Sequence, residues 1–187
     1  MAEPLLALSG LGKHFGGVQA VKDLSFSMGS GEIVGLIGPN GSGKSTSVNL
    51  ISGTLPPSNG DIRFAGTSVS RLTVSERVPL GLARTFQTTS VFPEFSVREQ
   101  VLTACHVRYR SSASGSVFRL ASARREEHAQ HAKVEEILAF VGLAAVAGEA
   151  ASAISSAQQR LLMIATALAT EPRLLLLDEP AAGMVAK

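Results

Sequence analysis

Gly38-Pro39-Asn40-Gly41-Ser42-Gly43-Lys44-Ser45-Thr46 constrains the fold of this chain more than any other stretch. It satisfies G-x-x-x-x-G-K-[ST] in full. The apolar run Ile33-Val34-Gly35-Leu36-Ile37 precedes it, and Ser47 to Ser52 has helical character. Strand, loop and helix in that order is the context in which such a pattern cradles phosphate. Glycines at 38, 41 and 43 let the backbone turn tightly and approach an anion with no Cβ in the way. The N–H groups from about Gly41 to Thr46 then open a helix, where unpaired donors and the helix dipole favour negative charge. Lys44 is placed to reach the β- and γ-phosphates of a nucleotide, and the Ser45 hydroxyl to ligand Mg²⁺. A glycine-rich turn that binds nothing is the other reading; the flanks argue against it.

A domain built on that loop needs a core, and 187 residues, 45% of them apolar, suffice for one α/β domain. The net charge of +2 and pI of about 9.0 are a weak basic excess. Lys and Arg form no long basic face, so nucleic acid is not the expected partner. The densest basic spot, Arg119, Arg124 and Arg125, is followed at once by Glu126 and Glu127 and reads as a solvated helix end. Cys105 is alone, which rules out an internal disulfide and fits a reducing compartment. Met1-Ala2-Glu3-Pro4 lacks the basic n-region of a signal peptide. The apolar runs are under 10 residues, too short to span a bilayer. Any link to a membrane is therefore expected to go through a partner.

Before the loop, Leu5 to Leu11 and Val21 to Met28 alternate as strands do, which predicts antiparallel strands beside the nucleotide strand. Between them lies Lys13-His14-Phe15-Gly16-Gly17-Val18. On spacing alone Phe15 is an ordinary turn aromatic, with a stacking surface for a base as the alternative. After the loop, Leu55-Pro56-Pro57-Ser58-Asn59-Gly60 is a turn, and Asp61 to Phe64 a short half-buried strand. Thr73-Val74-Ser75-Glu76 and Ser96-Val97-Arg98-Glu99 match the capping box, each opening a helix, the second running toward Cys105. Leu82 to Gln87 reads as a strand ending in a glutamine.

Residues 108–122 lack a period and read as a mobile loop. Val134, Ile137, Leu138 and Val141 follow i, i+3, i+4, i+7, giving the helix over 123–141 one buried face, with Gly142 as its C-cap. His128 and His131 sit one turn apart on it, with no third metal ligand nearby. Ala144 to Ala153 is small and featureless, and Gln158 to Thr170 reads as an apolar helix. Leu174-Leu175-Leu176-Leu177 predicts a strand buried on both faces of a parallel sheet. Asp178 and Glu179 fall at its C-terminal end, where open α/β sheets bind ligands. Asp178 is a candidate Mg²⁺ ligand and Glu179 a candidate general base for an attacking water.

Together these pieces resemble the ATP-binding subunit of ABC transporters. The order matches: aromatic turn (Phe15), Walker A (Gly38–Ser45), Q-loop (Gln87), a degraded signature (Ile154-Ser155-Ser156-Ala157-Gln158), Walker B (Leu174–Asp178) and Glu179. Phe15-Gly16-Gly17-Val18-Gln19-Ala20-Val21, Ala83-Arg84-Thr85-Phe86-Gln87 and Asp178-Glu179-Pro180-Ala181-Ala182-Gly183-Met184 look more narrowly like the subunits serving branched-chain amino-acid importers. Urea and amide importers use close relatives.

The resemblance covers nearly the whole chain. It implies a P-loop NTPase fold of the ABC type: a mostly parallel core sheet, an N-terminal antiparallel β subdomain and an α-helical subdomain. Residues 1–87 and 158–187 would form the core with its β subdomain, and 88–157 the helical subdomain. It further implies that Phe15 stacks on adenine, that Gln87 senses the γ-phosphate and Mg²⁺, and that Ser155 and Ala157 contact ATP. Two ATP-binding subunits, alike or different, would sandwich the nucleotide head to tail. A permease coupling helix would dock near Val91 to Phe95. The chain would then lie in the cytoplasm, peripheral to the inner face of the plasma membrane.

Four departures stand out. Ala157 occupies the glycine position of Leu-Ser-x-Gly-Gln, where a methyl hinders close approach to a phosphate. The helix after it carries Leu161, Met163 and Thr166 where the family has charged residues. Val185 replaces the polar D-loop residue. The chain ends at Lys187, ahead of the family's switch histidine; His14, His106, His128 and His131 all precede Walker B. In the family's topology, strands beyond this point flank the Walker A strand. Without them the Ile33–Ile37 strand is expected to lack parallel neighbours, each buried unpaired backbone group costing about 1–3 kcal/mol. Against total stabilities of about 5–15 kcal/mol, the sequence predicts marginal stability or a piece of a longer protein. Three functional readings follow: a transport ATPase, a nucleotide-binding relic without turnover, and a non-transport ABC protein. The last usually carries two cassettes or a long coiled coil, and neither is present in this sequence.

Overall fold

The computed structural model describes residues 3–85, 92–105 and 121–178, with the side chains of 121–127 excluded. The chain divides into two compact units, Met1–Leu82 and Ala83–Lys187.

The first unit is built on a four-stranded antiparallel sheet in the order β2-β1-β3-β4. Its strands are β1 (Leu6–Phe15), β2 (Val18–Met28), β3 (Asn59–Phe64) and β4 (Thr67–Ser68). Leu6 faces Met28 on one side and Phe64 on the other, and Leu8 faces Phe26 and Ile62. Leu6, Leu8, Leu11, Ile62 and Phe64 are buried, which is the inward half of the alternation that the sequence displays. The β1 strand extends past the expected Leu11, through a register shift between Leu8 and Leu11, to Phe15.

Helix α1 (Lys44–Ser52) follows the glycine loop and buries Val48, Leu50 and Ile51. Its C-terminus is held from below by α2 (Val74–Arg77). Fully buried Arg77 donates from Nη1 to the carbonyls of Leu50 and Ile51, at 2.8 and 2.7 Å, and from Nε to Leu72 at 3.0 Å. Burial pushes its pKa down. A cation at this end complements the helix dipole and satisfies carbonyls that have no intrahelical donor. The expected Thr73–Glu76 capping box is present at the start of α2.

The strand expected over Ile33–Ile37 is not formed. Residues 32–39 form no strand, Ile33 and Ile37 are essentially fully exposed, and Val34 and Leu36 are exposed as well. A strand exists only as a member of a ladder, and among the described residues nothing pairs with this run.

The second unit is mostly helical. Helices α3 (Val97–Cys105), α4 (Ala121–Phe140) and α5 (Ser156–Ala169) enclose a core of Val97, Val101, Val134, Ile137, Leu138, Leu143, Leu162 and Ala165, among others. The period read over 134–141 is the buried face of α4, with Val141 partly buried. Gly142 has φ +78°, and Leu143 N–H returns to the Leu138 carbonyl at 2.8 Å, closing the helix as a glycine C-cap does. The α4 helix begins at Ala121, inside the expected loop; the rest of that loop's structure lies outside the described residues. The featureless stretch after Gly142 holds a 3-10 turn, Ala144–Val146. Two short strands, β5 (Leu82–Arg84) and β6 (Leu174–Leu176), make a parallel pair. Of the four leucines only Leu174 is buried, and Leu177 is exposed. The expected burial on both faces is therefore corrected: among the described residues β6 has β5 as its partner.

Candidate nucleotide site

The phosphate loop owes its shape to its glycines. Gly43 has φ +87°, and a Cβ there would lie 2.4 Å from the Ala20 carbonyl. Only glycine combines that backbone with that approach. Gly41 has φ +81° with open space around it, while Gly38 sits against Ser42 Oγ. The Ser42 N–H donates to the Pro39 carbonyl at 3.2 Å, and the Gly43 carbonyl takes the first α1 bond, from Ser47 N–H at 2.8 Å. Gly43 is the N-cap, with no side-chain cap and no acidic residue in the first turn. The N–H groups of Lys44, Ser45 and Thr46 therefore stand at a bare positive helix end. Lys44 Nζ folds back onto the Gly38 and Pro39 carbonyls, at 2.7 and 2.8 Å. Asn40 and Ser45 are exposed, and Thr46 is half-buried.

Phe15 closes β1 at a two-residue hairpin, with Gly16 at φ +56°. Its ring is half exposed, and Lys13 Nζ lies 5.3 Å from the ring centroid while donating to the Pro56 carbonyl at 2.7 Å. The ring quadrupole attracts that ammonium.

In the second unit, Asp178 lies at the C-terminal end of β6. Its Oδ2 accepts from Arg84 Nη2 at 2.8 Å, with both side chains only 9% exposed. Thr85 Oγ1 accepts the Asp178 N–H at 3.4 Å. Gln87 and Glu179 lie outside the described residues. Ser155 and Ala157 are exposed at the start of α5. There Ser155 and Gln158 form a reciprocal capping box: Ser155 N–H donates to Gln158 Oε1 at 2.9 Å, and Gln158 N–H to Ser155 Oγ at 3.3 Å. The Ser-x-x-Gln spacing was readable in the sequence but lay inside the degraded signature. The sequence pattern alone does not single out Arg84; an arginine within an apolar strand signals a buried acidic partner, though not which one.

Phe92 and Phe95 are exposed with ring centroids 5.2 Å apart; Val91 lies outside the described residues. No group of three or more His, Cys, Asp or Glu side chains is arranged around a metal position among the described residues. No helix among them is long and apolar enough to cross a membrane.

The ABC transporter family model matches residues 21–182. The high-affinity branched-chain amino acid transport ATP-binding protein LivG of Salmonella typhimurium is 36% identical over 98% of this chain and 72% of its own length. BraF of Pseudomonas aeruginosa, described in the same words, is 35% identical with the same coverage. The ribose import ATP-binding protein RbsA 2 of Rhizobium etli is also 35% identical, over 34% of its length. Among solved structures, the ADP conformation of an ATP-binding cassette of an ABC transporter superposes with a TM-score of 0.81 at 33% identity, covering 99% of this chain and 72% of that one. The glycine loop, the antiparallel sheet and the helical unit thus have their counterparts, and the chain belongs to the ABC transporter family, as an ATP-binding subunit of the ABC ATPase type.

Proposed function

We propose that this chain powers an importer of branched-chain amino acids or related small solutes by binding and hydrolysing ATP. The observation that carries the reading is the uncapped start of α1, with Gly43 pressed to the Ala20 carbonyl and Lys44 Nζ resting on two loop carbonyls. Phosphate oxygens are stronger acceptors than those carbonyls, so the ammonium has reason to turn to a bound nucleotide. Gly38, Pro39, Asn40, Gly41, Ser42, Gly43, Lys44, Ser45 and Thr46 would cradle the phosphates, and Phe15 would stack on the base. The available donors, a serine hydroxyl at Ser45 and the carboxylate of Asp178, are hard oxygens suited to Mg²⁺. With Gln87 they would hold it, and the bound ion would neutralise charge on the phosphates. Glu179 would accept a proton from the attacking water.

Transport requires partners: permease subunits, docked near Val91 to Phe95, and a second ATP-binding subunit presenting Ser155 and Ala157. The chain would then sit peripherally at the cytoplasmic face of the membrane. The exposed Phe92–Phe95 pair favours the docking position. The relatives include importers of amino acids and of a sugar, so the solute is the least constrained part. A second reading, nucleotide binding without turnover, is favoured by Ala157, whose methyl stands where the family has glycine.

Equilibrium binding of a fluorescent ATP analogue, paired with an ATPase assay on the chain with and without its permease, tests both. Lys44→Ala is expected to weaken analogue binding by at least about tenfold, the scale of a lost charge-assisted contact. Unchanged affinity would sink the loop assignment. Binding without Mg²⁺-dependent turnover would favour the second reading.

A further inference from the structure

We propose that Arg84 is a positioning residue that holds the Asp178 carboxylate when no divalent cation is present and thereby sets how readily that carboxylate accepts Mg²⁺. The proposal rests on the reading of Asp178 as a Mg²⁺ ligand. The placement follows from the strand pairing. Thr85 N–H donates to the Leu176 carbonyl at 3.0 Å, and Thr85 Oγ1 accepts the Asp178 N–H. These bonds lock the ends of β5 and β6 side by side, although Arg84 and Asp178 are 94 residues apart in sequence. Arg84 Nη2 then reaches Asp178 Oδ2 at 2.8 Å, with 9% of each side chain exposed.

Water screens such a pair poorly, so its attraction is far stronger than at the surface. Asp178 therefore faces a shielded cation. A Mg²⁺ ion, which needs oxygen ligands in strict geometry, has either to share the carboxylate with Arg84 or to displace it. Both weaken the Asp178 contact. Remove the guanidinium, and the carboxylate is a shielded charge with a vacated oxygen, for which a divalent cation is the ready counter-ion.

The test is a Mg²⁺ titration of fluorescent ATP-analogue binding to the whole chain, with thermal denaturation in Mg²⁺ alone as a second readout. Arg84→Gln is expected to lower the Mg²⁺ concentration for half-maximal binding by about fivefold or more, as loss of a competing buried charge implies. It should also gain more thermal stability from Mg²⁺ than the unaltered chain does. Arg84→Lys retains a cation but loses the planar fork, so its midpoint should fall between the two. This variant also supplies the measurement if Arg84→Gln does not fold. A merely structural Arg84 would change stability and leave the midpoint alone. A midpoint equal to or above that of the unaltered chain, in whichever variants fold, overturns the proposal. Asp178→Asn separates the two levels. If it fails to raise the midpoint, Asp178 is not a Mg²⁺ ligand and both readings fall. If it raises the midpoint while the Arg84 variants do not lower it, only the role of Arg84 falls.

Discussion

Gly43 has two demands on it at once, and they can be measured apart. Its φ of +87° excludes most side chains, and the Ala20 carbonyl occupies the Cβ position. Gly41 has nearly the same φ, +81°, with nothing within 4 Å of a Cβ. Gly41→Ala should therefore cost only the left-handed backbone, about 1–2 kcal/mol. Gly43→Ala should cost more, because the loop or β2 has to move, and should weaken analogue binding as well. Urea denaturation of both variants checks this. Equal costs would mean that the Ala20 contact yields easily and does not fix the loop.

Three helix starts, those of α2, α3 and α5, are made by a repeated local device. Ser96 N–H donates to Glu99 Oε2 at 2.8 Å, and Glu99 N–H to Ser96 Oγ at 3.2 Å. The same exchange opens α2 at Thr73 and α5 at Ser155. At α3 two further donors, the N–H groups of Val97 and Arg98, reach the Glu149 and Ala147 carbonyls, both at 2.9 Å. Ser96→Ala is expected to destabilise the chain by about 1 kcal/mol. A thermal midpoint that does not move would show that the tertiary partners alone hold this helix end. The two boxes at 73–76 and 96–99 were legible in the sequence because both partners lie within four residues. The reach of β1 to Phe15 was not, since it depends on a register shift against two other strands.

At the scale of the molecule, both units carry carboxylates held below their usual range. Hydrogen bonds from Ser68 and Ser70 do this for Asp61, and the backbone and side chain of Thr73 for Glu76. Ser96 does the same for Glu99. A depressed folded pKa contributes stability that is complete above the unfolded value, near 4, and is lost as pH falls through the lower folded value. The thermal midpoint should therefore hold between pH 7 and about 5 and drop below about 4. Glu99→Gln can still cap α3 but cannot titrate, so its acid decline should be shallower. An identical decline would show that Glu99 is not among the groups responsible.

The sequence by itself determined the phosphate loop, three of the helix caps, the buried face of α4 and the family. Each is written in short-range spacing or in residue types that a single backbone shape demands. Tertiary structure alone decided three other features. Ile33–Ile37 is apolar and β-branched, yet it is a strand only if a neighbour completes its ladder, and no described residue does. Four leucines announce a buried strand, but burial depends on what covers each face, and here Leu174 is covered while Leu177 is not. Arg84 and Asp178 become partners because two strand ends are brought side by side. Charge pairing across such a distance in sequence is a property of the packed fold, where a shielded cation has to find an anion wherever the chain places one.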